Sequence, residues 1–183
     1  MGTSQFPNEP WLKFALDRKT LFVAKKPFRH TVAWSYLNTA GILDGSKALL
    51  IQGRTYKVRL LKSFIGGYPS GGNIYTFAPS QCNGSEWNRL MYHVSGKPFA
   101  NAGNVLTAEG ITEGDWAKYT EAELYTLQGS GRLGTFSICP ERNSFGNNMS
   151  RGGNGVSQAY TFTATSDGGA GTQGWRPCLE LMA

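Results

Sequence analysis

The stretch from Arg142 to Leu181 constrains this chain most, because it is long, poor in charge and rich in glycine yet bounded at both ends by glycine–arginine anchors. One anchor is Ser150-Arg151-Gly152-Gly153-Asn154; the other is Gly174-Trp175-Arg176-Pro177, running into Cys178-Leu179-Glu180-Leu181. Between them Tyr160, Phe162 and Ala164 alternate with Thr161, Thr163 and Thr165, the period-two pattern of a half-buried strand. The remaining residues are glycines and small polar side chains, which bend freely but build no core. A long irregular excursion held between fixed points is the usual place for function, and the anchors favour an ordered one.

Composition sets the frame for that excursion. A chain of 183 residues with 40% hydrophobic content suits one globular domain, since such a chain buries roughly 70% of its unfolded surface. With 24 glycines and only 16% charged residues, short strands and loops are expected rather than long helices. No apolar run approaches the roughly 20 residues needed to span a bilayer, and no signal-peptide core follows the start. Synthesis in a cytoplasm without membrane insertion is therefore expected. The formal charge of +6 raises nucleic acid as a partner, but the cations form no stripe. Arg18, Lys19, Lys25, Lys26 and Arg29 flank a candidate hairpin, while Arg54, Lys57, Arg59 and Lys62 fall on both faces of one strand. Cys82, Cys139 and Cys178 are widely spaced and read as buried free thiols. His30 and His93 lie near no cysteine, and Asp167 is the single acid of the late loop, so neither zinc nor calcium is expected.

Taken in order, Met1 to Pro10 reads as an extended arm and residues 11–183 as a single domain. Trp11–Leu16 and Leu21–Ala24 form a hairpin about Asp17-Arg18-Lys19-Thr20. Trp34, Leu37 and Ala40 have helical spacing, stopped by Gly41. Ala48–Ile51 and Arg54–Lys62 flank a turn at Gln52-Gly53, with Tyr56, Val58 and Leu60 facing the core. Ser85 caps a helix whose Trp87, Leu90, Met91 and Val94 share one face. Thr120-Glu121-Ala122-Glu123 is a capping box leading to Leu124 and Leu127. Leu133–Cys139 reads as a strand with Phe136 and Ile138 inward, and Trp175–Leu181 as another, with Pro177 at an edge or bulge.

Two resemblances join these landmarks. Val58-Arg59-Leu60-Leu61, the helix start Ser85-Glu86-Trp87, then Ser150-Arg151-Gly152-Gly153 and Gly174-Trp175-Arg176 resemble, in order, the formylglycine-generating-enzyme branch of the C-type-lectin fold. Leu61 stands where that branch has proline, and Asn154 where it has serine. Trp11-Leu12-Lys13-Phe14-Ala15, Lys25-Lys26-Pro27, Tyr56 to Leu61, Ser85 to Leu90 and Gly174 to Pro177 together look like virion structural proteins of large tailed bacteriophages. The resemblances imply an α+β, C-type-lectin-like domain with short strands, two to three short helices and long glycine-rich loops.

They also imply a non-enzymatic particle component, either a tail-fibre or receptor-binding module or a capsid-decorating one. In such a fold the late excursion displays contact residues, here Arg142, Asn143, Asn147, Asn148, Asn154, Gln158, Tyr160, Asp167 and Gln173. Trp87, Arg151, Trp175 and Arg176 are expected to be structural. The expected partners are other virion proteins, further copies of the chain (a trimer among the symmetric forms) and a host surface glycan or protein, with no nucleic acid and no cofactor. Phe6, Tyr68 and the arm are the expected self-contact points. The alternative is a sulfatase-modifying or glycan-acting enzyme on the same fold. Cys139 and Cys178 would then supply thiols, or Asp115, Glu121, Glu123 and Glu141 the acids.

Overall fold

Two-residue turns set the first two hairpins of the computed structural model, which describes residues 2–63, 74–76, 85–92, 94, 119–124, 133–142, 146–152, 156, 161–165, 167 and 171–183. Strands β2 (Trp11–Leu16) and β3 (Lys19–Ala24) join through Asp17 and Arg18, at φ +49° and +64°. Strands β5 (Asp44–Ile51) and β6 (Arg54–Arg59) join through Gln52 and Gly53, at φ +49° and +75°. Positive φ at both central residues gives a turn whose twist matches that of the strands it connects.

The described residues make a small mixed α+β domain with two sheets and three short helices. The five-stranded sheet runs β2-β3-β12-β6-β5, with β12 (Cys178–Leu181) inserted antiparallel between the two hairpins. Along β2 the side chains alternate strictly: Leu12, Phe14 and Leu16 are buried, Trp11, Lys13 and Ala15 exposed. The buried set meets Leu21, Val23 and Cys178 on one side and Trp87, Leu90, Met91, Val94 and Leu124 on the other. The last group comes from α2 (Asn88–Tyr92, wound as a π-helix), its flanks and α3 (Glu121–Leu124).

The second sheet has seven short strands in the order β1-β4-β11-β8-β9-β10-β7. They are β1 (Thr3–Ser4), β4 (Arg29–His30), β7 (Ile74–Thr76), β8 (Phe136–Arg142), β9 (Asn148–Arg151), β10 (Thr161–Thr165) and β11 (Gln173–Trp175). Among the described strands only β11 and β8 pair in parallel. A smaller apolar cluster of Val32, Leu37, Leu43, Leu60 and Ile138 packs helix α1 (Trp34–Thr39) against this side.

The structure departs from the sequence reading in several places: β3 already starts at Lys19 and β5 at Asp44, and Tyr56 is half-buried in a groove with Trp11 and Ile51 rather than in the core. Trp175–Leu181 is not one strand: β11 lies in one sheet and β12 in the other, and Arg176-Pro177 carries the chain across. Proline cannot donate to a ladder, so the crossing falls where no ladder bond is needed. The strand placed at Leu133–Cys139 begins at Phe136, after a turn at Leu133-Gly134. In it Ser137 and Cys139 are as buried as Ile138, because both faces are covered, while Phe136 is only half-buried. Only half of the capping box forms: the Glu123 carboxylate accepts from the Thr120 N–H (2.8 Å) and hydroxyl (2.9 Å), and the Glu123 N–H goes to the Thr120 carbonyl. Finally, the extended segment of residues 2–10 runs along the domain and is bonded to it. Thr3 and Ser4 pair with His30 and Arg29, Gln5 N–H donates to Phe28 O, and a Cβ on Gly2 would sit 2.0 Å from His30 O. Phe6 is half-buried beneath the Lys26 ammonium, 5.0 Å from its ring centre. Leu127, Tyr68 and Cys82 lie outside the described residues.

Candidate functional site

Helix α1 starts without a side-chain cap of its own, since Ala33 occupies the capping position. Its free amide is met from far away: the Asp167 carboxylate accepts from Ser35 N–H at 3.1 and 3.3 Å. The Asn148 side-chain amide donates to the same carboxylate at 3.4 Å. Burial acts to raise the Asp167 carboxyl, but these hydrogen bonds outweigh it and hold the group below the usual carboxylate range. Asn148 reaches this point because it opens β9, paired with Arg142 on one side and Thr165 on the other.

Trp34, the first residue of α1, lies across the same end of the sheet. Its indole N–H donates to Pro140 O at 3.1 Å, and the Arg142 guanidinium stacks 4.7 Å from its ring centre. Trp34, Arg142, Asn147 and Asp167 are all half-buried, so each is partly open to solvent. Trp34, Arg142 and Asp167 thus make a patch with an aromatic ring, a planar cation and a carboxylate. Such groups can stack on a sugar or planar ligand and hydrogen-bond its edge.

Two expected contact residues, Arg142 and Asp167, thus come together around Trp34, and Asn147 is half-buried one residue before the Asn148 that bonds Asp167. Asn148 and Gln173 do not join them: both are fully buried, Asn148 as the bridge to Asp167 and Gln173 on β11 opposite Phe136. They present no side chain to a partner. Asn143, Asn154, Gln158 and Tyr160 lie outside the described residues. Trp34 was read from sequence only as an apolar helix position. The available signal was a tryptophan opening a short helix that lacks a polar cap.

The four residues read as structural occupy the joint between the sheets. Trp87 is 1% exposed and donates its indole N–H to Val156 O at 3.2 Å. Arg151 is fully buried and donates to Ser63 O (2.6 Å) and Asn88 Oδ1 (2.7 Å). Arg176 sits where the chain changes sheet and donates to Ala24 O, Lys25 O, Leu124 O and Ser137 Oγ. Trp175 is half-buried against the smaller apolar cluster. Both guanidinium groups stand 5.8 Å from the Trp87 ring centre, so one tryptophan is flanked by two buried cations.

A second ionic group lies nearby. Arg59 is paired bidentately with Glu86 (2.7 and 2.8 Å) and bonded to Glu180 (2.8 Å), which also holds Lys19. Burial alone would lower the Arg59 pKa, but the two carboxylates raise it.

The reactive groups invoked by the enzyme alternative are placed as follows. Cys139 and Cys178 are both buried free thiols. Burial pushes the Cys139 thiol well above its ordinary value and Cys178 up to about 12, so each is held protonated. Glu141 is also pushed up by burial, to about 7, with its carboxylate accepting from Ser63 N–H at 3.1 Å. Glu123 is occupied with Thr120 and Lys25, the side chain of Glu121 is not described, and Asp115 lies outside the described residues. Among the described residues no three His, Cys, Asp or Glu side chains are grouped to hold a metal, and no helix is long and apolar enough to cross a membrane. Among the described residues, a cleft of about 550 Å³ along β2 and one of about 360 Å³ around Arg59 are lined by none of Arg142, Asn147, Asn148, Asp167 and Gln173.

No family model matches the chain, and neither curated proteins nor solved structures gave a match.

Proposed function

We propose that this protein is a non-enzymatic structural module of a bacteriophage particle with a C-type-lectin-like fold, and that it contacts a host surface glycan through the Trp34 patch. One observation supports this reading: Trp34–Ser35, Arg142 and Asp167, remote in sequence, meet on one half-open surface with a stacked tryptophan–arginine pair. A stacked, planar, polar surface suits a sugar ring. The order of motifs seen in virion proteins supports the setting, and the protonated state of both thiols weighs against thiol chemistry. Copies repeated by the particle's symmetry would multiply a weak contact into a strong one.

The test is binding of purified wild type, Arg142→Ala and Trp34→Ala to an array of bacterial surface glycans, with circular dichroism as a check on folding. Wild-type binding reduced about tenfold or more in Arg142→Ala is expected, a loss of about 1.4 kcal/mol. Absence of wild-type binding, with immunogold signal confined to the capsid shell, would leave a decorating role instead. Turnover of an oligosaccharide or thiol peptide, abolished by Cys178→Ser or Glu141→Gln, would replace the binding reading with the enzymatic one.

A further inference from the structure

Strand β5 is the outermost strand of the five-stranded sheet and is exposed along almost its whole length. One of its edges is bonded to β6; along the other, beyond Lys47, no described strand pairs. The phase of the ladder decides which main-chain groups are free. The two-residue turn closes on the pair Ile51 and Arg54, so Ile51 and Leu49 direct their N–H and C=O toward β6, and Ala48 and Leu50 direct theirs outward. Thr55, opposite Leu50, agrees with this phase: its carbonyl turns away from β5 to accept from Met182 N–H at 2.9 Å.

The two halves of β5 differ in how the open edge is managed. At the Asp44 end the register is broken by a bulge, and the Lys47 N–H is taken by Gly41 O. Bulges and charges are the usual protection of a free edge. Beyond Lys47 there is none. Leu49 is 40% exposed, Leu50 75% and Ile51 40%, with Met182 at 42% beside them. Most of the large exposed apolar side chains of the described residues are therefore gathered at this one corner.

We propose that this edge pairs antiparallel with β5 of a second copy of the chain, about a twofold axis through Leu49. This deepens the expectation of self-association and does not use the Trp34 patch. Ala48 then faces the partner's Leu50, Leu49 faces the partner's Leu49, and Lys47 faces the partner's Ile51. Of the twofold registers, this one uses every outward group, giving four N–H···O bonds. An axis through Ala48 would set Leu50 against the bulge, and an axis through Leu50 would run Ala48 into the turn at Gln52. Side chains fit the same register. The most exposed leucine meets an alanine, and the two Lys47 ammonium groups are kept apart, each laying its aliphatic stem on an isoleucine. Such an interface is self-complementary, as a closed twofold dimer requires. The two five-stranded sheets become one, and the apolar groove of Trp11, Phe22, Ile51, Tyr56 and Leu179 on each outer face is carried across the axis.

Light scattering after size exclusion, on the full chain, tests this directly. Wild type should have about twice the 19.9 kDa chain mass. Leu50→Lys and Ala48→Pro should shift it to the single-chain mass with unchanged circular dichroism. A cross-linking pair reports the register. Opposed residues in a non-hydrogen-bonded pair have Cα atoms about 4.5 Å apart, within disulfide range. With Cys82→Ser in both variants, Leu49→Cys should therefore give a reducible dimer under mild oxidation and Leu50→Cys should not; the buried, protonated Cys139 and Cys178 do not compete. A wild type of single-chain mass, a dimer that survives Leu50→Lys, or cross-linking through Leu50→Cys in preference to Leu49→Cys would overturn the proposal. Glycan binding measured on the same Leu50→Lys protein keeps the two readings separate, since loss of the dimer with retained per-chain binding is the expected result.

Discussion

The two sheets are held together by different forces. The five-stranded sheet is built from two tight hairpins, and one face is covered by a continuous apolar layer from Leu12 through Val23 to Leu90 and Met91. The seven-stranded sheet is assembled from strands as far apart as Thr3 and Gln173, several only two or three residues long. Its buried positions include Ser137, Asn148, Ser150, Arg151 and Gln173. Apolar burial is non-directional and tolerant of detail; buried polar groups hold only when each finds its partner. The second sheet and its joint to the first should therefore be the part of the molecule most sensitive to single substitutions.

The sharpest way to break that contrast is Arg176→Met. It would leave Ala24 O, Lys25 O, Leu124 O and Ser137 Oγ without their donor at the crossing point. A loss of about 3–5 kcal/mol is expected in urea unfolding, because buried acceptors without donors cost about 1–3 kcal/mol each. Hydrogen exchange should rise first in β4 and β11. A loss under about 1 kcal/mol, spread evenly over both sheets, would show that the arginine is not the joint.

Glu141 sharpens the contrast through pH. In the folded chain, burial keeps its carboxyl protonated up to about pH 7, against an ordinary value of 4.5. Between those two values the folded state binds more protons than the unfolded one. Stability from this group is therefore greatest at low pH and falls as pH rises through that window, by up to about 3 kcal/mol. Glu141→Gln, which keeps an acceptor for Ser63 N–H, should flatten this part of the profile in urea titrations at pH 5 and pH 7. A wild-type curve with the same slope as the variant would show that Glu141 ionises normally.

Gly174→Ala tests close packing at the joint. An added Cβ would lie 2.5 Å from Gly134 O and 2.9 Å from Pro27 Cβ, where backbone must give way. A loss of about 1–3 kcal/mol in urea unfolding is expected, and a neutral result would mean that the β4–β11 corner is loose. The smallest effect belongs to the other sheet. Gln52 holds φ +49°, a conformation that asparagine accepts more readily, so Gln52→Asn should stabilise by roughly 0.5 kcal/mol in thermal unfolding. Loss of stability there would mean that the turn is shaped by contacts beyond its own backbone.

How much could be read in advance follows the same division. The hairpin of Trp11 to Ala24, the turn at Gln52-Gly53, the short helix stopped by Gly41 and the apolar face of Trp87, Leu90, Met91 and Val94 all rest on neighbours in sequence. Periodicity and turn chemistry suffice for them. The break at Arg176-Pro177 was missed because the alternation on either side continues as though through one strand. The depth of Asn148 and Gln173 was missed because small polar residues among glycines carry no inward signal. At the candidate site, the sequence singles out Arg142 and Asp167 but gives no sign that Trp34 lies between them, because that contact joins residues far apart in the chain.

By itself the sequence determined turns, alternation and helix faces, since those depend on steric and hydrophobic preferences within a few residues. Tertiary structure alone decided which polar side chains lie inside, which sheet each half of the final segment joins, and which strand edge is left open. The physical reason is that a buried arginine or amide is tolerable only where distant carbonyls and carboxylates happen to meet it. That meeting is a property of the assembled chain and of no local stretch of it.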